Sequence, residues 1–269
     1  MISSSIRLVA IDMDGTLLNS QHQLSPTNEA ALRQAMAAGV TIVFATGKTR
    51  KSAVPIIDKL GLDTPGVYSQ GLVVYKGDGS VLYERTLKRP LAHQVATFAT
   101  NVNCSMVAYS GGDIVTNVRD QFTDVFINYH EPEPIAYGSW TAVFQARPVN
   151  KFIMVSTKER IDQIRPQLEA AIGQQATIVQ ALDYMVEILP AGASKGDGLR
   201  RVLAYLSIDP GQVMAIGDGE NDVEMLQLAG LGIAMGNAMP AARQAADALT
   251  GTNDEDGVAQ ALTHHLRLF

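Results

Sequence analysis

Near its start the chain runs from Ile6 to Ala10, apolar but for Arg7, and then breaks into Ile11-Asp12-Met13-Asp14-Gly15-Thr16. Such a run fits a strand that ends in a turn, with Gly15 and Thr16 supplying the turn chemistry. Alternate side chains on a strand share a face, so Asp12 and Asp14 can converge on one place. Parallel strands present function at their carboxyl ends, which is where this pair falls. Two close carboxylates repel each other and need a cation or a shared proton to coexist. Taken alone, Asp-x-Asp-Gly is also a common exposed turn.

The pattern repeats near the other end. Val213-Met214-Ala215-Ile216 empties into Gly217-Asp218-Gly219-Glu220-Asn221-Asp222, and a helical spacing of apolar residues follows (Val223, Met225, Leu226, Leu228). Asp218 and Asp222 lie four apart across a turn into a helix, so both can face one point. Hard oxygen donors in this arrangement suit magnesium (Mg²⁺), which takes one or two carboxylates with waters and phosphate oxygens. An acidic loop at a helix N-terminus is favourable in its own right, so this motif too has a plain structural reading.

Two further spots are suited to phosphate. Val40 to Ala45 is a third strand-like run, and it ends in Thr46-Gly47-Lys48, where a hydroxyl and a backbone N–H can hold an oxyanion. In Ser194-Lys195-Gly196-Asp197, Ser194 reads as a helix N-cap. Lys195 then occupies the first helical turn, where a cation opposes the helix dipole. A nearby anion explains that lysine better than helix stability does.

Asp12-x-Asp14-Gly-Thr16, Thr46-Gly47, Lys195 and Gly217-Asp218-x-x-Asn221-Asp222, in this order, resemble the haloacid dehalogenase (HAD) superfamily of hydrolases. The long gap between Thr46 and Lys195 resembles the Cof-type, sugar-phosphatase-like members with a large α/β cap. The resemblance covers essentially the whole chain. It implies an α/β fold: a doubly wound parallel-sheet, Rossmann-like core with an inserted α/β cap domain. It also implies an Mg²⁺-dependent phosphoric monoester hydrolase working through an aspartyl-phosphate. In that scheme Asp12 is nucleophile and metal ligand, and Asp14 is general acid/base and lends its backbone carbonyl to the metal. Thr46 and Gly47 bind the phosphoryl group, and Lys195 neutralises it and Asp12. Asp218 ligates Mg²⁺, Asp222 supports or ligates it, and Asn221 hydrogen-bonds near the phosphoryl group.

The sequence departs from the family pattern in two places. Lys48 stands where Arg usually follows Thr-Gly, so a bidentate fork is lost there. Ser69-Gln70-Gly71 stands where Asn-Gly-Ala is frequent. Lys48 and Gln70 are therefore the candidate substrate-selecting residues on the core. His22, Asp183, Tyr184 and Glu187 are further contact candidates, and the single Trp140 reads as a packing anchor.

The element pattern is α/β. Ser25-Pro26 opens a helix that runs to Gly39. A helix over 49–60 contains Pro55, so it is expected to start late, near Pro55, or to kink. Residues 71–85 read as a hairpin. From about Leu87 to Ala191 the pattern becomes that of a mostly antiparallel α/β insertion, with helices over 91–101, 120–129 and 159–172. The expected division is a discontinuous core, residues 1–86 and 192–269, and a cap, residues 87–191.

Composition narrows the function. A formal net charge of −6 argues against a general nucleic-acid binder. No apolar run is long enough to span a membrane. The single cysteine, Cys104, suits a reducing, cytoplasmic setting, with a removed organelle-targeting peptide left open. The expected partner is a small-molecule phosphate ester, with the protein a monomer or homodimer. Sugar phosphates lead as substrates, with pyridoxal phosphate, FMN and nucleotides as alternatives. A phosphomutase or phosphotransferase would share these motifs. A non-catalytic relative would be expected to lack Asp12, Asp14 or Lys195, and all three are present.

Overall fold

The computed structural model describes residues 6–266; residues 1–5 and 267–269, the outer ends of the expected core segments, lie outside the described residues. In chain order the first stretch carries β1 (Leu8–Ile11), α1 (Pro26–Ala37), β2 (Thr41–Phe44), α2 (Arg50–Leu60), β3 (Gly66–Tyr68), β4 (Val73–Tyr75) and β5 (Val81–Glu84). The middle carries α3 (Arg89–Asn101), β6 (Ser105–Ser110), β7 (Asp113–Thr116), α4 (Val125–Asn128), β8 (Ile135–Ala136), α5 (Trp140–Ala146), β9 (Lys151–Val155), α6 (Lys158–Ile172), β10 (Ala176–Leu182) and β11 (Met185–Pro190). The last stretch carries α7 (Lys195–Leu206), β12 (Val213–Gly217), α8 (Val223–Leu228), β13 (Leu231–Ala234), α9 (Pro240–Ala245), β14 (Ala248–Leu249) and α10 (Gly257–Leu266).

The chain packs as two compact units. The first takes the residues up to Gly47, Val54–Tyr83 and everything from Ser194 on; the second takes Lys48–Ala53 and Glu84–Ala193. The short segment Lys48–Ala53 thus packs with the inserted unit, although it directly follows Thr46-Gly47 in the chain.

The first unit is built on a sheet of order β14-β13-β12-β1-β2. Every pairing in it is parallel. Leu8, Val9, Ala10 and Ile11 are all fully buried, as are Val213 to Ile216. Continuous apolar runs are what a parallel strand needs when both of its faces are covered. The register pairs Ile11 with Ile216 on one side and with Phe44 on the other. The three strands therefore end level, and Asp12, Gly217-Asp218 and Ala45-Thr46 emerge from one edge. The chain winds one way from β1 to β2 and the other way from β12 to β14. The edge beside β1 and β12 is thus the switch point where open α/β sheets place their ligand sites. A second small sheet, β3-β4-β5, continues from β2 through a parallel bridge between Ala45 and Val67.

Local signals account for the helix ends. Ser25 caps α1 by accepting from the Asn28 N–H, with Pro26 at the first helical position. Ser194 caps α7 by accepting from the Asp197 N–H. Helix α2 differs from expectation. It starts at Arg50 and carries Pro55 inside it. The lost N–H bond is tolerated where the Pro55 side chain is exposed and the rest of the helix packs: Ala53 and Leu60 are buried.

The inserted unit has a sheet of order β10-β11-β9-β6-β7-β8. It is antiparallel except for the parallel pair β7–β8. Its strands separate two apolar faces with the expected period of two. Met106, Ala108, Phe152, Met154, Val186 and Ile188 join α3, α5 and α6 in one cluster. Val107, Tyr109, Ile153, Val155 and Met185 join Phe126 in the other. Trp140 is a packing residue as expected, stacked on Phe144 and edge-on to Phe152.

The helix expected over 120–129 is one turn only, α4. Asp120 Oδ1 accepts from the Phe122 and Thr123 N–H groups, and the Thr123 hydroxyl accepts from the Asp120 N–H. Such local side-chain bonds offer the backbone an alternative to the helix. Helix α5 and strand β8 have no counterpart in the sequence reading, being too short for a periodic signal.

Candidate active site

Asp12 follows the last residue of β1, and its N–H donates to the Ile216 carbonyl at 3.0 Å. This ties the end of β1 to the end of β12, and the acidic loop after β12 folds back beside it. Asp12, Asp218 and Asp222 each offer a carboxylate oxygen, and these atoms lie within 4.8 Å of one another. Lys195 Nζ sits 2.7 Å from Asp12 Oδ1 and 2.7 Å from Asp222 Oδ1. The lysine is 1% exposed. The anion that its place in the first turn of α7 called for is this carboxylate pair. Asp222 Oδ2 is further held by the N–H groups of Asp218 and Gly219, at 3.0 and 2.9 Å. Asp222 thus has cationic and backbone donors on both oxygens and serves as a fixed counter-charge for Lys195.

Charge in this cluster is not balanced by Lys195 alone. Burial pushes the Asp12 carboxyl well above the ordinary range; Lys195 opposes that shift, and Asp222 and Asp218 reinforce it. Asp218 is pushed up to about 6 by burial and by Asp222, against the pull of the Thr16 hydroxyl and Lys195. For Lys195, burial disfavours the charged form, but the two carboxylates outweigh it and hold the ammonium well above its usual value. Two buried carboxylates and the half-buried Asp218, with one lysine among them, make an all-oxygen donor set with surplus negative charge, which fits a hard divalent cation.

Two small residues make this packing possible. Gly15, at φ +74°, would place a Cβ 2.5 Å from Asp218 Oδ2. Gly217 would place one 2.5 Å from the Asp222 carboxyl carbon. Thr16 does more than supply the turn: its hydroxyl donates to Asp218 Oδ1 at 2.7 Å.

Asp14 stands apart from this cluster. Its side chain is 37% exposed, and its Oδ1 lies 3.2 Å from His22 Nδ1. Its carboxylate therefore does not join the clustered acids, although the strand spacing let Asp12 and Asp14 converge on one place. The backbone-carbonyl role implied by the resemblance is a separate matter.

The phosphate-suited residues converge by another route. The Thr46 N–H donates to the Val67 carbonyl, and the Thr46 carbonyl accepts from the Gln70 N–H at 3.1 Å. A Cβ on Gly47 would lie 2.8 Å from Gln70 Nε2, so the glycine admits the Gln70 side chain. Gln70 Oε1 accepts from Asn221 Nδ2 at 3.0 Å. Ser69, Gln70 and Gly71 all have positive φ. At Gly71 a Cβ would meet the Ser194 carbonyl at 2.0 Å, so this sharp turn abuts the start of α7. Gln70 is thereby placed beside Gly47 and Asn221.

Lys48 belongs to the inserted unit, where its Nζ donates to the Tyr129 carbonyl at 2.6 Å. Next to it, the Glu131 carboxylate accepts from the Thr49 N–H and hydroxyl and from the Ser52 hydroxyl. Of the other contact candidates, Glu187 forms a buried pair with Lys151 at 2.8 Å. The Tyr184 hydroxyl bonds that of Tyr129. Asp183 is exposed, and its carbonyl accepts from Gln180. Glu131 and Lys151 carry no motif spacing and were not legible in the sequence.

A family profile described as haloacid dehalogenase-like hydrolase matches residues 9–262. The chain belongs to this family. The hydrolase is 31% identical over 287 residues to the phosphatase YwpJ of Bacillus subtilis, covering 97% of this chain and 100% of that one. It is 38% identical over 262 residues to the chloroplastic endoribonuclease YBEY of Arabidopsis thaliana. That match covers 93% of this chain but only 45% of the Arabidopsis protein. Among solved structures it resembles a haloacid dehalogenase-like hydrolase from Bacteroides thetaiotaomicron, with a TM-score of 0.86 and 28% identity, covering 98% of this chain and 99% of that one. The enzyme is of phosphatase type. Among the described residues no helix is long and apolar enough to cross a membrane.

Proposed function

We propose that this enzyme hydrolyses small phosphorylated metabolites, sugar phosphates first, with Mg²⁺ and through an aspartyl-phosphate on Asp12. The observation that carries the reading is the Asp12–Asp218–Asp222 cluster locked to Lys195 at the switch-point edge of the sheet. Asp12 and Asp218 would hold the metal, with Asp222 behind them and the Asp14 carbonyl beside them. When bound, the cation supplies positive charge to the phosphoryl oxygens and to the surplus carboxylates.

The residues then divide the work. The Asp12 carboxylate attacks phosphorus, and the bond to the leaving alcohol breaks. Asp14, outside the cluster and partly exposed, gives its proton to the departing oxygen and afterwards takes one from water. Lys195 favours the ionised form of Asp12 and orients it, and offsets phosphoryl charge as it shifts. Thr46, Gly47 and Asn221 bind the phosphoryl oxygens. The inserted segment, residues 87–191, is proposed to act as a cap that selects the substrate and excludes water. Lys48 and Gln70 are proposed to read the leaving group.

A phosphate-release screen over metabolite monoesters with Mg²⁺, ranked by kcat/KM, tests the reading. Asp12→Asn keeps the shape and removes the attacking charge, and should abolish release while the protein melts as a folded one. Adding a competing alcohol acceptor separates hydrolysis from transfer. Wild-type turnover by Asp12→Asn would refute the mechanism.

A further inference from the structure

His22 lies in a turn that neither the metal cluster nor the phosphate-binding residues require, yet the turn is closely determined. His22 has φ +57°, a left-handed backbone uncommon outside glycine. Its N–H donates to the Asn19 carbonyl at 2.8 Å, and Asn19 Oδ1 accepts from the Gln21 and Gln23 N–H groups. The Asn19 N–H closes the turn on the Gln23 carbonyl. The same loop is tied from outside. The Ser20 N–H and hydroxyl both donate to Asp254, and Asn253 Nδ2 donates to the Leu18 carbonyl. Asn237 Nδ2 donates to the Gly15 carbonyl at 2.8 Å. A conformation held from so many sides is where an unusual backbone geometry points to a role. What this turn presents is His22 Nδ1, 3.2 Å from Asp14 Oδ1.

We propose that His22 is a positioning residue for Asp14, resting on the reading of Asp14 as general acid/base given above. The Nδ1–H donates to Asp14 Oδ1. That bond fixes the carboxyl rotamer away from the Asp12–Asp218–Asp222 cluster, with Oδ2 as the oxygen that carries the transferable proton. During phosphoryl transfer the Asp12 oxygen–phosphorus bond forms and the phosphorus–leaving-oxygen bond breaks. The Oδ2 proton passes to the leaving oxygen, and Asp14 is left as a carboxylate that accepts two hydrogen-bond donors instead of competing for the metal. In the second half a water oxygen–phosphorus bond forms, the Asp12 oxygen–phosphorus bond breaks, and the water's proton returns to Oδ2 with Oδ1 still held.

Leaving-group dependence separates this role from a merely structural one. An alkyl phosphate leaves as an alkoxide unless it is protonated, whereas p-nitrophenyl phosphate leaves as a stable phenolate and needs little acid help. Because kcat/KM reports the first irreversible step, it isolates transfer to Asp12. His22→Ala should lower kcat/KM for a sugar or alkyl phosphate by about 10- to 100-fold, part of the full value of a placed acid, and for p-nitrophenyl phosphate by less than about 3-fold. His22→Asn keeps an N–H donor near the Nδ1 position and tolerates the left-handed turn, so it should recover most of the loss. The Mg²⁺-induced rise in melting temperature should be unchanged in both variants. Equal losses on the two esters, or no loss, would overturn the proposal while the phosphatase reading stands. A wild-type enzyme that released phosphate from neither ester would overturn both.

Discussion

Replacing Lys195 by methionine gives the sharpest test of how the site is held together. Methionine keeps most of the side-chain volume and removes the charge that bridges Asp12 and Asp222, each at 2.7 Å. Without it, three carboxylates with oxygens within 4.8 Å face one another in a largely buried site. At an effective dielectric of about 20, each such pair repels by roughly 3 kcal/mol if both members are ionised. Proton uptake caps the penalty, so the expected loss of unfolding free energy without metal at pH 8 is about 3–5 kcal/mol, as for breaking other buried ion pairs. That corresponds to a fall in melting temperature of roughly 6–20 °C. The pH dependence has a definite sign. Asp12 and Asp218 are raised in the folded protein, Asp218 to about 6. A raised carboxyl favours folding below its unfolded value and loses that contribution as pH rises through the folded one. The Lys195→Met deficit should therefore be largest at pH 8, shrink as pH falls below about 6, and shrink again at pH 8 when Mg²⁺ is added. Thermal and urea melts in chelator, in Mg²⁺, and at pH 5 and pH 8 measure all of this. A deficit below about 1 kcal/mol at pH 8 in chelator, or one independent of both pH and metal, would refute the electrostatic account.

Chelator should abolish activity and Mg²⁺ restore it, with stabilisation of about 2.7 kcal/mol when the metal stands at 100 times its Kd. Protons and metal compete for Asp218, so the Mg²⁺ midpoint, followed by melting temperature, should rise as pH falls through about 6. Gln70→Ala removes the acceptor of Asn221 and the group against Gly47, and should reorder a panel of phosphate esters by kcat/KM with little change in melting temperature. Trp140→Ala should cost about 3–5 kcal/mol in the inserted unit, because it empties the space between Phe144 and Phe152, and a urea melt measures it.

The motifs and the kind of fold are legible in local sequence. Apolar strands ending in Asp12-x-Asp14, Thr46-Gly47 and Gly217-Asp218 are local patterns, and a parallel strand buried on both faces writes itself as an uninterrupted apolar run. The odd place of Lys195 was legible too, since a cation in the first turn of a helix is unfavourable without an anion. What tertiary structure alone decided is which of these groups meet. The register of β1 against β12 brings Asp12 level with the acidic loop, and only then does Lys195 have two carboxylates to bridge. Asp12 and Asp14 are two residues apart, yet one is buried in the cluster and the other turns to His22, because Gly15 bends the chain at once after Asp14. Lys48 adjoins Gly47 but packs with the inserted unit, a division that no local pattern encodes. Helix α2 starts at Arg50 despite Pro55, since burial of Ala53 and Leu60 outweighs one missing bond. Local propensity acts over a few residues; the pairing of distant strands, and the burial that shifts Asp12, Asp218 and Lys195, depend on segments some two hundred residues apart along the chain.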